Sequence, residues 1–208
     1  MKNICILKDV TKRYPSHHET VLGPVSLTIE KGTVTGIRGE NGAGKSTLLA
    51  IMANTLKPTS GTVTYGKKHI VIGYVPQELS LYETMTGREN LIFWGLAGGL
   101  KKKDADIQAQ KLLSLMRLSD KAESTAAEYS GGMKRRLHLA TALMTVPDLL
   151  LLDEPTAGAD AESADTILQT AAALKENGTA CVIISHQTED LEKICDNILW
   201  LEKGQIKN

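Results

Sequence analysis

The sequence is poor in aromatic residues, which occupy 4% of its 208 positions and include a single phenylalanine. Its core must therefore be aliphatic and rich in alanine. It has no surplus of either charge, because 24 lysines and arginines balance 24 aspartates and glutamates. That balance argues against a nucleic-acid partner held by a basic surface. It has only three cysteines, Cys5, Cys181 and Cys195, none in a CxxC pair or at a metal-binding spacing. This excludes a disulfide framework and reads as buried or incidental thiols in a reducing compartment. No run approaches the roughly 20 apolar residues that cross a bilayer. The N-terminal stretch carries scattered charges and lacks the apolar centre of a secretory leader. If the chain serves a membrane, another chain must cross it.

What is present is ordinary for a globular protein: 42% hydrophobic and 23% charged residues. Short β-branched or alternating runs at 4–7, 25–29, 33–38, 62–65 and 70–75 predict strands, as do the apolar runs 149–152, 182–184 and 198–201. Helical spacing predicts helices at 46–54, 161–176 and 188–194, with Asn177-Gly178 as a stop signal. From 79 to about 117 the pattern is helical, with breaks expected at Gly87, Gly95 and Gly98-Gly99. Such alternation predicts an α/β fold around a largely parallel sheet, with a helical insertion near the middle. His17 and His18 fall in a polar stretch expected to be exposed, and Lys101-Lys102-Lys103 is expected to be a solvated loop.

The strongest chemical signal is Gly39-Glu40-Asn41-Gly42-Ala43-Gly44-Lys45-Ser46, which fits GxxxxGK[ST] between a predicted strand and a helix. Glycines let backbone N–H groups turn inward around phosphate oxygens, and the helix N-terminus adds positive potential. Lys45 is placed to reach the outer phosphates, Ser46 to hold Mg2+ through its hydroxyl, and Thr47 to add a phosphate contact. The alternative is a glycine-rich turn with an incidental Lys-Ser pair, which the strand–loop–helix context disfavours.

A phosphate loop needs an acidic partner at the end of a buried strand. The run Leu149-Leu150-Leu151-Leu152-Asp153-Glu154-Pro155 supplies one. Asp153 emerges at the carboxyl end of the strand, where α/β sheets bind ligands. It is read as a holder of Mg2+, and Glu154 as the general base that polarises the attacking water.

Tyr129-Ser130-Gly131-Gly132-Met133-Lys134-Arg135-Arg136 lies about twenty residues before Asp153. Taken alone it is a helix with a serine N-cap, two glycines and a basic first turn. With the two nucleotide motifs beside it, it resembles the LSGGQ signature of ABC ATPases, with Tyr129 in place of the first leucine and Met133 in place of glutamine. The resemblance covers nearly the whole chain from Tyr14 onward. It implies a P-loop fold of ABC type: a mostly parallel sheet core, an antiparallel β subdomain and a small α-helical subdomain. A single domain over residues 1–208 is expected, with the helical part at roughly 79–135. The short stretch between Tyr65 and Ile70 and the sequence's end close after its last predicted strand are expected to mark a minimal nucleotide-binding domain.

The resemblance also assigns roles. Tyr14 matches the aromatic residue that stacks on adenine, and Gln77 the glutamine that contacts Mg2+ and the attacking water. Ala157-Gly158-Ala159-Asp160 resembles the SGLD loop that crosses the dimer interface, although Asp160 could equally be a helix N-cap. His186 matches the switch histidine that contacts the γ-phosphate. The family implies ATP as ligand, ATP hydrolysis as activity, and a second ATPase subunit, in a homodimer or heterodimer, whose Ser130, Gly131 and Gly132 face the bound nucleotide. It further implies a transmembrane permease, through which alone the chain is held at the inner, cytoplasmic face of the membrane. The run from Leu81 to Leu91 resembles the LYxxLTxxENL pattern of ABC-2-type and multidrug exporters, and the family seats the permease's coupling helix in this region. A runner-up is a non-transport ABC ATPase of DNA repair or translation, but coiled-coil insertions and tandem ATPase domains are absent from the sequence. A GTPase or kinase would leave the SGG helix unexplained.

Overall fold

The computed structural model describes residues 2–15 and 20–207. His17 and His18 lie outside them. Nine strands and six helices follow in the order β1 (Asn3–Arg13), β2 (Thr20–Glu30), β3 (Val34–Arg38), α1 (Lys45–Met52), β4 (Ser60–Tyr65), β5 (Ile72–Val75), α2 (Gly87–Ala97), α3 (Lys102–Leu115), α4 (Gly131–Leu143), β6 (Leu149–Asp153), α5 (Ala161–Leu174), β7 (Ala180–Ile184), α6 (Thr188–Ile194), β8 (Asn197–Glu202) and β9 (Gln205–Lys207), counted among the described residues.

Two sheets form. One is three-stranded and antiparallel, in the order β2-β1-β4; the other is six-stranded, in the order β5-β6-β7-β3-β8-β9. In the larger sheet every neighbouring pair is parallel except β8 with β9. Its central strands are buried on both faces, which explains why β6 and β7 read as unbroken apolar runs without alternation. The period of two still operates. Leu150, Leu152, Cys181 and Ile183 enter one core with α2 to α6, whereas Leu149, Leu151, Val182 and Ile184 enter a second core with α1 and the antiparallel sheet. Each fully buried leucine is worth roughly 1.5–3 kcal/mol of transfer free energy, so these few positions hold three layers together. No helix among the described residues is long and apolar enough to cross a membrane.

The predicted α/β architecture is observed, with a mostly parallel sheet and a separate antiparallel one. Boundaries shift where tertiary contacts decide them. Residues 79–86 are not helical; α2 begins at Gly87. The buried side chain of Asn90 takes the place of a helical ladder there: its Oδ1 accepts the Tyr82 N–H at 2.9 Å, and its Nδ2 donates to the carbonyls of Tyr82 and Thr86, both at 3.0 Å. Thr86 caps α2 in a reciprocal capping box with Glu89. Gly87 and Gly95, expected as breaks, lie inside α2. A Cβ at Gly87 would sit 2.1 Å from the Tyr129 hydroxyl, and one at Gly95 would sit 2.6 Å from Met144 Cε, so both glycines permit close packing. Lys102 and Lys103 are exposed as expected but belong to the first turn of α3 and not to a loop.

Candidate active site

The register of the larger sheet decides which residues meet. Ile184 at the end of β7 pairs with Ile37 of β3 on one side and with Asp153 of β6 on the other. Three carboxyl strand ends therefore lie side by side, delivering the glycine loop, the Asp153-Glu154 pair and His186 to one edge. A cavity of about 240 Å³ opens there, lined by Val21, Asn41, Gly42, Gly44, Lys45, Ser46, Thr47, Gln77, Asp153, Glu154 and His186.

The loop is held by its own backbone and by β2. Gly44 has φ +98°, and a Cβ there would come within 2.7 Å of the Val21 carbonyl, so the turn into α1 requires glycine. The Lys45 Nζ donates to the carbonyls of Gly39 at 2.7 Å and Glu40 at 2.9 Å. Burial lowers the Lys45 pKa, while the nearby Glu154 and Asp153 carboxylates oppose that shift. Ala43 does not line the cavity; its side chain is buried in the second core. Tyr14, just beyond β1, is half-buried, and its hydroxyl lies 3.3 Å from Thr47 Oγ1, which places its ring at the rim beside the loop.

The acidic pair is buried. Burial raises the Asp153 pKa, opposed by a hydrogen bond from the Ser46 hydroxyl and by the charges of Lys45 and His186. Burial likewise raises the Glu154 pKa, opposed first by the hydrogen bond from the His186 backbone. That N–H donates to Glu154 Oε2 at 3.2 Å, and the His186 imidazole Nε2 lies 3.2 Å from Oε1. The imidazole approach is not aligned as a hydrogen bond. Asp153 Oδ1 and Glu154 Oε1 are thus buried oxygens with no hydrogen-bond partner among the described residues. Glu154 also has φ +49°, a left-handed conformation that costs a non-glycine residue of order 1–3 kcal/mol. Glu154 thus combines a left-handed backbone with one buried oxygen, Oε1, that lacks a partner among the described residues.

Ser130, Gly131, Gly132 and Asp160 do not line this cavity. They meet one another instead. Ser130 caps α4, its Oγ accepting the Met133 N–H at 3.3 Å. Asp160 caps α5, its two oxygens accepting from Ser163 N–H and Oγ at 2.9 Å each. These hydrogen bonds hold the Asp160 carboxyl below its usual range. A Cβ on Gly132 would lie 2.2 Å from Asp160 Oδ2, so the two helix starts can approach only because Gly132 has no side chain.

Two contributors were not legible in the sequence. Val21 lines the cavity from the antiparallel sheet, and nothing local marks it. Arg135 ties the Gln77 and Ala157 carbonyls together; its only signal was the basic run after the two glycines.

The ABC transporter family description matches residues 22–157. The linearmycin resistance ATP-binding protein LnrL of Bacillus subtilis (strain 168) is 38% identical over 197 residues, 90% of this chain and 63% of the relative. The Nod factor export ATP-binding protein I of Burkholderia lata is 34% identical over 207 residues, 95% of this chain and 67% of the relative. The chain thus spans about two thirds of the length of these relatives. Among solved structures, a dimeric post-hydrolysis state of an ATP-binding cassette bound to ADP and Pi superposes with TM-score 0.88 at 27% identity, covering 99% of this chain and 97% of that one.

Proposed function

Because the chain belongs to the ABC transporter family, we propose that it binds and hydrolyses ATP, and that a separate membrane permease turns this work into substrate movement. One observation carries the reading: Lys45, Ser46, Gln77, Asp153, Glu154 and His186 line a single cavity.

The phosphates of ATP would take the Lys45 ammonium and the backbone donors of the glycine loop, with the positive end of α1 behind them. Tyr14 stacks against the adenine at the rim. The Ser46 hydroxyl, the Asp153 carboxylate and the Gln77 side-chain carbonyl would hold Mg2+. This all-oxygen set suits a hard cation, and Asp153 Oδ1 is a buried oxygen in need of a partner. When bound, the ion neutralises part of the phosphate charge. Glu154 receives the proton of the attacking water at Oε1, and the raised pKa that burial imposes makes it a better acceptor. His186 orients that carboxylate through its backbone N–H and extends its imidazole to the γ-phosphate.

Ser130, Gly131, Gly132 and Asp160 serve the nucleotide of a second ATPase subunit. The exposure of Ser130, Gly131 and Asp160 at paired helix starts, packed across the buried Gly132 and outside this chain's own cavity, supports that reading. The permease seats against a groove of about 440 Å³ between β5, α2 and α4, whose lining includes Tyr74, Trp94 and His138. The exposed side chains of Leu79, Tyr82, Phe93 and Leu96 support this. The match of residues 81–91 to the exporter pattern, and the resistance and export relatives, favour outward movement, with the chain held by the permease at the cytoplasmic face of the membrane.

Light scattering after size exclusion on Glu154→Gln, with and without ATP, tests the mechanism. The expected result is dimer with ATP and monomer without. Confirmed ATP binding with no change of mass would overturn the two-subunit site.

A further inference from the structure

Arg135 lies in the second turn of α4 and joins two segments distant in sequence. Its Nη1 donates to the Gln77 carbonyl at 2.6 Å, and its Nε donates to the Ala157 carbonyl at 3.1 Å. Gln77 lines the nucleotide cavity of this chain. Ala157 begins the loop that ends at Asp160, the N-cap of α5. The same helix starts at Ser130, and its Gly132 packs directly on Asp160. One guanidinium thus connects the loop that feels this chain's own nucleotide to the helix starts that would face a partner's.

The chemistry of the side chain suits this task. A guanidinium is a planar fork whose donors point in fixed, different directions, so one group can hold two backbone carbonyls at a set separation. An ammonium is a point donor on a flexible stem; it would keep the charge and one carbonyl. Burial disfavours the Arg135 charge, and the nearby Glu154 carboxylate offsets part of that cost, which ties the arginine to the catalytic glutamate as well.

We propose that Arg135 is a positioning residue for hydrolysis, locking the Gln77 backbone and the 157–160 loop to α4 so that the three move as one unit. The proposal rests on the ATPase reading above. In it, a shift of Gln77 on loss of the γ-phosphate is passed through Arg135 to the Ser130 and Asp160 caps. Arg135 does not line the nucleotide cavity, so its loss should leave nucleotide affinity intact and impair the catalytic step.

The test compares wild type, Arg135→Lys and Arg135→Met in the full chain, by ATPase kinetics, binding of a fluorescent ATP analogue and thermal melting. In both variants ATP affinity and KM are expected to stay close to wild type. kcat should fall by about tenfold or more in the Met variant, as slight misplacement of reacting groups does. The Lys variant should recover only part of that loss. Full recovery by lysine would mean that charge alone matters and would overturn the fork. Wild-type kcat in both variants, or a parallel loss of affinity and kcat, would overturn the positioning role. If the Met variant does not fold, the Lys variant decides, because it preserves the charge and the Gln77 contact. Absence of turnover in the wild type would overturn the ATPase reading itself, an outcome distinct from active wild type with unaffected variants.

Discussion

The His186 backbone N–H donates to Glu154 Oε2 at 3.2 Å, while the His186 imidazole Nε2 stands 3.2 Å from Oε1 without forming a hydrogen bond. Adjacent parallel strands make this possible: β6 ends one residue before Glu154 and β7 ends two residues before His186, with Asp153 and Ile184 in register. The glutamate is thereby kept in a buried, left-handed position where its charge is disfavoured. Function and stability should pull in opposite directions here.

Glu154→Gln is expected to abolish turnover and to raise the melting temperature at neutral pH. Each kcal/mol of burial cost removed would raise Tm by roughly 2–4 °C in a chain of this size. The sign follows from the raised pKa. Below the ordinary carboxylate value both folded and unfolded states are protonated, and the variant gains nothing. As pH rises past that value the unfolded state ionises first, and the wild type loses stability until the folded carboxyl also ionises. Melting curves of both proteins across this acid range check it; a variant less stable than wild type at pH 7 would refute the argument.

Lys45→Ala removes the charged donor that bonds the Gly39 and Glu40 carbonyls. A charged hydrogen bond is worth about 1.5–3 kcal/mol, so ATP affinity should fall by roughly ten- to a hundredfold. Calorimetric titration with ATP measures this. Unchanged affinity and unchanged rate would remove the loop from the nucleotide site.

Ser130→Arg places a long cation at an exposed helix start outside the chain's own cavity. It should leave ATP affinity of the single chain near wild type and prevent the ATP-bound dimer when combined with Glu154→Gln. Loss of the cap costs about 1 kcal/mol of stability and would not unfold the chain. Loss of ATP binding by the single chain would instead place Ser130 in the cis site and contradict the two-subunit arrangement.

His138 provides a test independent of nucleotide. It is buried, its Nε2 accepts the Ser80 N–H at 3.3 Å, and burial with the nearby Arg135 charge lowers its pKa to about 4. The unfolded chain takes up this proton near the ordinary histidine value of about 6.5. The contribution of His138 is therefore complete above that value and is lost as pH falls toward 4, by an amount on the order of 3 kcal/mol. Denaturant unfolding of wild type and His138→Gln at pH 7 and pH 5 checks it. The wild type should lose more stability between the two pH values than the variant; equal losses would show that His138 is not the group responsible.

Much of this molecule is decided locally, and those parts were legible along the chain. The glycine loop from Gly39 to Lys45 needs only backbone freedom and a following helix. The apolar run Leu149-Leu152 before Asp153 needs only burial on both faces. Ser130 and Asp160 declare helix starts through side-chain oxygens that satisfy N–H groups three residues on. Thr188–Ile194 formed over the span expected for it. Each depends on hydrogen bonds or periodicity within a few residues, which a sequence records directly. Strand order does not, because β6, β7 and β3 become neighbours only through the packing of two cores. Only that order sets Asp153, Glu154, His186 and Lys45 around one cavity. Tertiary contact likewise decided that residues 79–86 wrap around Asn90 instead of forming a helix, and that Gly87 and Gly95 sit inside α2. It also turned Arg135 inward onto two distant carbonyls. The physical reason is the same in each case: the partner group lies far away in sequence, and the energy of meeting it exceeds the local preference that the sequence displays.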